Sequence, residues 1–264
     1  MLENILKRDR GIVIAGLAGL VLVAWLYLLH LTRTMAAEMA EMERHAAMGM
    51  AMPQLHAWTA AELALTFLMW AVMMVAMMVP SAAPMILLFA TIHRRRRGQQ
   101  QPTVPVAVFL AGYLAIWTAY AAAATLAQWG LHAAALLSAS MATTSAVLGG
   151  TLLVGAGLFQ WTPLKRICLT SCRSPLSFLM TRWREGILGA FSMGVSHGLY
   201  CVGCCWMLMG LLFVAGVMNL AWVAAIAIVV LLEKVVPSGE RLGRVIGIAL
   251  MVTGLVLVVG AWRG

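Results

Sequence analysis

Charge is what this sequence has least of: 10% of its 264 residues are charged, with nine Asp and Glu against eighteen Lys and Arg. At 63% hydrophobic and a mean hydropathy of +0.94, the chain cannot clothe a soluble domain in polar surface. Alternation is also lacking. The apolar runs are far too continuous for barrel strands, and only helices or closed barrels satisfy the backbone in lipid. A Gly-rich phosphate loop and a phosphorylatable aspartate motif are both absent, which argues against ATP-driven pumping. No small-residue cleavage site follows the first apolar run, so that run reads as a retained anchor rather than a signal peptide.

The fold class expected is therefore all-α, a single polytopic transmembrane bundle over residues 1–264. Apolar windows give about seven spans, near 12–31, 62–90, 104–127, 143–160, 187–213, 219–236 and 245–262. Placing the N-terminus inside and the C-terminus outside puts 15 of the 18 basic residues on inner segments, leaving Arg33, Arg44 and Arg263 outside. That is the positive-inside pattern of a multi-pass membrane protein. The net charge of +9 is accounted for this way, with the basic run 94–97 as a stop at the anionic inner surface, and it implies no nucleic acid. Two connections stand out, a Met- and His-rich outer segment at 32–60 and a basic inner segment at 161–186.

Most of the chemistry lies in one stretch of the fifth span. Met193, His197, Cys201, Cys204 and Cys205 fall at helical spacing on one face, with Met209 one turn further. Thioether and thiolate donors select Cu(I), and imidazole also suits copper. An intramembrane histidine is costly and marks a functional site by default. Ala190, Gly194 and Gly198 repeat at every fourth position beside that face, a ridge of small residues for close helix packing.

Cysteine is missing from the expected outer segments, where methionine and histidine take its place. Met35, Met39, Met42, His45, Met48, Met50, Met52 and His56 crowd into residues 35–56. Met35, Met39 and Met42 would share one face of a short helix, while Met48, Met50 and Met52 alternate as in an extended segment. Methionine ligates copper without deprotonation, which suits an oxidising exterior where free thiols would be lost to disulfides. In the second span Met69, Met73, Met74, Met77 and Met78 form two adjacent stripes, with Pro80 and Pro84 just below. Their depth matches that of the span-five thiols, so the two sets could meet in one site.

On the inner side Cys168 and Cys172 are spaced i, i+4 among Lys165, Arg166 and Arg173, flanking charges that favour thiolate. They read as a second pair of thiols able to accept or release Cu(I), too few for a closed zinc site. Glu233 and Lys234 read as a mutual pair at the inner interface, and His93 as solvated. Spans four and seven carry small-residue patterns, Gly149, Gly150, Gly155 and Gly157 in one and Gly243 and Gly247 in the other, which let helices approach closely.

Taken together, Trp70, Met73, Met74, Met77, Met78 and Pro80, then Pro163, Lys165, Cys168, Cys172, Arg173 and Pro175, then Cys201, Gly203, Cys204, Cys205, Trp206 and Met209, then Gly216, Met218 and Asn219 resemble a bacterial family of polytopic proteins. Its members are described as metal-binding integral membrane proteins, some treated as copper chaperones. The resemblance runs from about residue 58 to 234 and is most specific at Cys201-x-Gly203-Cys204-Cys205-Trp206. It implies metal binding, with copper the metal, and delivery to a copper enzyme.

Two functions of different class follow. The first is a non-enzymatic copper-binding protein that captures copper on the outer segment, holds it as Cu(I) among Met73, Met77, His197, Cys201, Cys204 and Cys205, and delivers it to a membrane or periplasmic cuproenzyme. The second is a membrane thiol-disulfide oxidoreductase, since Cys201 and Cys204 are formally Cys-x-x-Cys. That scheme leaves the methionines and His197 without a role. A third reading, an assembly scaffold, would make all five cysteines dispensable.

Overall fold

The computed structural model describes residues 2–48, 58–97, 103–137 and 143–263. Within them the chain forms ten helices: α1 (Leu2–Ala47), α2 (Ala60–Arg97), α3 (Thr103–Ala133), α4 (Ala146–Phe159), α5 (Pro163–Arg173), α6 (Pro175–Arg182), α7 (Gly186–Gly210), α8 (Leu212–Ala215), α9 (Leu220–Val235) and α10 (Gly239–Arg263). One isolated bridge, between Leu137 and Thr143, is the only β pairing among the described residues. The all-helical class expected from the sequence is what the chain adopts.

Local chemistry sets several boundaries. Thr59 and Glu62 form a capping box at the start of α2: the Glu62 carboxylate accepts from the Thr59 amide at 2.7 Å, and the Thr59 hydroxyl accepts from the Glu62 amide at 3.3 Å. Thr162 caps α5, whose first residue is Pro163, the position where a missing N–H costs nothing. Asn219 caps α9 through the Trp222 amide at 3.1 Å. Before it, Gly216 turns the chain at φ 93°, a conformation that glycine adopts without strain.

Five helices are long and apolar enough to cross a membrane, with cores at Arg10–Glu38, Ala60–Arg94, Pro105–Ala133, Gly186–Ala215 and Gly239–Arg263; α4 and α5, bent by 64° at residues 160–162, make a sixth if taken as one broken span. The sixth apolar window of the sequence forms α9, which at 16 residues is about 24 Å long.

Glycine governs two of the packing interfaces. A Cβ at Gly150 would stand 2.7 Å from the Gly254 carbonyl oxygen, and one at Gly157 would stand 2.6 Å from that of Gly247, so α4 and α10 lie backbone to backbone. The α3–α7 crossing is closer still, with Gly194 of α7 seated on the Phe109 carbonyl of α3. The ridge read from Ala190, Gly194 and Gly198 is thus used against α3. In the middle of the bundle α2 buries Trp70, Met73, Met74, Met77, Met78 and Met85. Trp70 donates to the Gln128 side chain of α3 at 2.6 Å.

Candidate metal centre

Met193, His197, Cys201, Cys204, Cys205 and Met209 all lie on the buried side of α7. The buried face is apolar apart from His197 and the thiols, so packing that face orders the donors. What α7 alone cannot supply is a donor from another helix. That comes from α5, which the elbow at residues 160–162 folds back against α7.

On α5, Cys168 and Cys172 are both buried, although the sequence places them on an exposed inner segment. Cys168 is aimed at Gly203: a Cβ there would stand 2.7 Å from its sulfur. One turn on, the Cys172 thiol is within hydrogen-bonding reach of Cys201 and Cys204, and Cys205 is within reach of the same two. Four thiols from two helices therefore lie near one another. Cys172 thus joins the three α7 cysteines, although the sequence separates intramembrane and inner-side sets.

Polar groups from three further positions close around Cys201. The Tyr113 hydroxyl of α3 is 3.0 Å from its sulfur and also donates to the Met78 carbonyl of α2 at 3.1 Å. The Lys234 ammonium of α9 donates to the Cys201 sulfur and to the Ser81 hydroxyl of α2, each at 2.9 Å. Cys201 is thus held between the Tyr113 hydroxyl of α3 and the Lys234 ammonium of α9, each of which is also bonded to α2. A charged donor to sulfur favours the thiolate that soft metals require.

All five cysteines carry free thiols. Those of Cys204 and Cys205 are turned back on the Cys201 carbonyl, at 3.1 and 2.9 Å. Accordingly, among the described residues, no group of three or more His, Cys, Asp or Glu side chains stands ready to hold a metal ion. The donor chemistry nonetheless suits a soft monovalent ion, because rotation of two thiols off a carbonyl frees them toward Cys172 and Cys201. His197, one turn before Cys201, is buried against Tyr113, Phe109 and Phe178, and its Nδ1 has no hydrogen-bond partner. An unpartnered buried imidazole nitrogen is an available ligand atom.

A second buried polar network lies beside the elbow. Lys165 of α5 pairs with Glu233 of α9 at 2.7 Å and also donates to Gln160. The expected Glu233–Lys234 pair does not form. Neighbouring side chains on a helix point about 100° apart, so Glu233 reaches α5 and Lys234 reaches the thiols. Arg173 closes the same end by donating to the Val236 and Pro237 carbonyls at 2.8 and 2.6 Å.

The other candidates are dispersed. Ser81 and the Met78 carbonyl bring the 77–81 turn of α2 to the cluster, and Met74, Met77 and Met78 are buried in that part of the helix; Met69 and Met73, also buried, lie further toward its start. Met35, Met39 and Met42 fall on the last turns of α1, which runs unbroken through the first part of the Met/His-rich segment; Met35 is half-buried, while His45 and Met48 are exposed. Met50, Met52 and His56 lie outside the described residues. His93 is buried against Phe89 and Trp183 rather than solvated.

Tyr113, Ser81 and Lys234 escaped the reading of the sequence as site residues. For Lys234 a signal was present, since a lysine ending an apolar span needs a partner. For Tyr113 and Ser81 there was none. A family model described as PpoB2, copper chaperone, matches residues 67–257. No curated protein and no solved structure matches the chain.

Proposed function

The chain belongs to the PpoB2 copper chaperone family, and from that premise we propose that it binds Cu(I) within a bacterial inner membrane and delivers it to a membrane or periplasmic cuproenzyme. The observation that carries this reading is the meeting of Cys172 from α5 with Cys201, Cys204 and Cys205 from α7, beside the unpartnered nitrogen of His197. The matched segment, 67–257, contains all of these residues.

In this scheme seven spans cross the bilayer with the N-terminus inside, α4 running into the bent α5 and α9 serving as the short sixth span. Exposed apolar side chains such as Leu22, Val23, Val245 and Val256 face lipid. The Met/His-rich end of α1 and the segment after it capture the ion outside. Rotation of the Cys204 and Cys205 thiols off the Cys201 carbonyl opens the cluster to it. Tyr113 and Lys234 hold the Cys201 sulfur in place, and Met77 or Met78 adds a thioether. The binding step leaves the copper's oxidation state unchanged and makes no covalent product, so the protein acts as a carrier rather than an enzyme.

Copper content of the purified chain, with zinc measured alongside under reducing conditions, tests this. About one or more Cu per chain in the wild type, lost when Cys201, Cys204 and Cys205 are changed to Ser, is expected; a wild type free of copper overturns the reading. The proximity of the four thiols also favours one alternative, dithiol–disulfide exchange. Alkylation trapping separates the two, because an oxidoreductase cycles through disulfides whereas a copper site stays reduced when loaded.

A further inference from the structure

Lys234 is nine-tenths buried, and its hydrogen bonds go to a hydroxyl and a sulfur, not to a carboxylate. Glu233, next in the chain, is committed to Lys165 at 2.7 Å, and among the described residues no carboxylate pairs with Lys234. A buried ammonium without a counter-ion is costly. Among the described residues the groups beside it that can become anionic are the thiols of the cluster and the Tyr113 hydroxyl, and its nitrogen lies 2.9 Å from the Cys201 sulfur.

We propose that Lys234 is the charge-selecting residue of the thiol cluster, the fixed cation that makes the site prefer a monovalent soft metal over a divalent one. The inference rests on the copper reading above and adds to it the physical basis of metal choice. Whatever the number of thiolates engaged, a resident positive charge repels a divalent ion twice as strongly as a monovalent ion in the same position. The surrounding helices exclude the water that would screen this difference. Lys234 thus lowers the affinity for Zn(II) more than that for Cu(I), while compensating the surplus negative charge of a Cu(I)–thiolate centre. Ser81 accepts from the same ammonium at 2.9 Å, a second bond that keeps the charge beside the sulfur.

The test uses the full chain in detergent under reducing conditions, titrated separately with Cu(I) and Zn(II) against competing chelators. Lys234→Met is expected to lower the Cu(I)/Zn(II) affinity ratio by about tenfold or more, through stronger Zn(II) binding, as befits one unit charge removed from a poorly screened site. Lys234→Arg, which keeps the charge, is expected to hold the ratio near the wild-type value. A Lys234→Met protein whose affinities for the two metals fall in parallel, or whose ratio does not move, overturns the inference. So does a folded Lys234→Arg protein that loses the preference, and this keeps the test decisive if the Met variant fails to fold. The copper reading fails separately, through a wild type that binds no Cu(I) or keeps it without Cys201, Cys204 and Cys205.

Discussion

The sulfur of Cys168 on α5 faces Gly203 on α7 so closely that a Cβ at position 203 would stand 2.7 Å from it. The glycine inside the Cys201-x-Gly203-Cys204 element is therefore the seat on which α5 rests, and this contact keeps Cys172 against the α7 thiols.

Replacing Gly203 with Val is expected to push α5 from α7 and to lower copper retention, with a loss of stability of about 1–3 kcal/mol as for other overpacked cores. Metal content and the thermal midpoint in detergent check it. Gly194→Val, which drives a side chain into the Phe109 carbonyl, should cost more stability, because backbone cannot yield as a thiol can.

Cys172→Ser is expected to reduce Cu(I) affinity about as much as Cys201→Ser, because both thiols belong to one contact set. Cys168→Ser, aimed at Gly203 instead, should reduce it less. Competition titration of the three single variants decides this. Equal effects of Cys168 and Cys172, both weaker than Cys201, would return them to a separate inner-side pair.

The Lys165–Glu233 pair is buried on both sides. Removing one partner strands a charge and typically costs about 3–5 kcal/mol, whereas replacing both with apolar residues is often close to neutral. Lys165→Met should therefore unfold at markedly lower denaturant than the double variant Lys165→Met/Glu233→Leu. A double-mutant cycle on purified protein measures the coupling.

Met77→Leu/Met78→Leu is expected to weaken copper binding several-fold, while a volume-conserving exchange of this kind costs less than about 1.5 kcal/mol per site. Residue 69 lies twelve positions before Ser81, about 18 Å along the helix, so Met69→Leu should leave binding unchanged. Isothermal competition with a Cu(I) chelator distinguishes them. A uniform absence of effect assigns the whole methionine stripe to packing.

Helix class, the positions of the apolar windows and the shared face of His197 and the α7 cysteines were legible in the sequence because each depends on local periodicity alone. Cys201, Cys204, Cys205 and His197 share one side of one helix whatever surrounds it. The close use of Gly150, Gly157 and Gly194 was legible for the same reason, since a missing side chain is visible in the chain itself. Which helix each ridge would meet was not.

Tertiary structure decided the rest. Whether Cys172 joined the α7 thiols depended on the 64° elbow between α4 and α5; Thr162 and Pro163 mark where the helix restarts, not which helix it will meet. Glu233 and Lys234 illustrate the same limit. Their sequence is that of a neighbouring ion pair, but helical geometry sends them in different directions, and only the arrival of Lys165 on one side and of Ser81 and Cys201 on the other fixes their partners. The sequence by itself determined which donors the molecule carries and on which helix faces they stand, because periodicity is a local property. The assembly of those donors around Cys201 was decided by long-range packing, because no local pattern encodes which faces will meet.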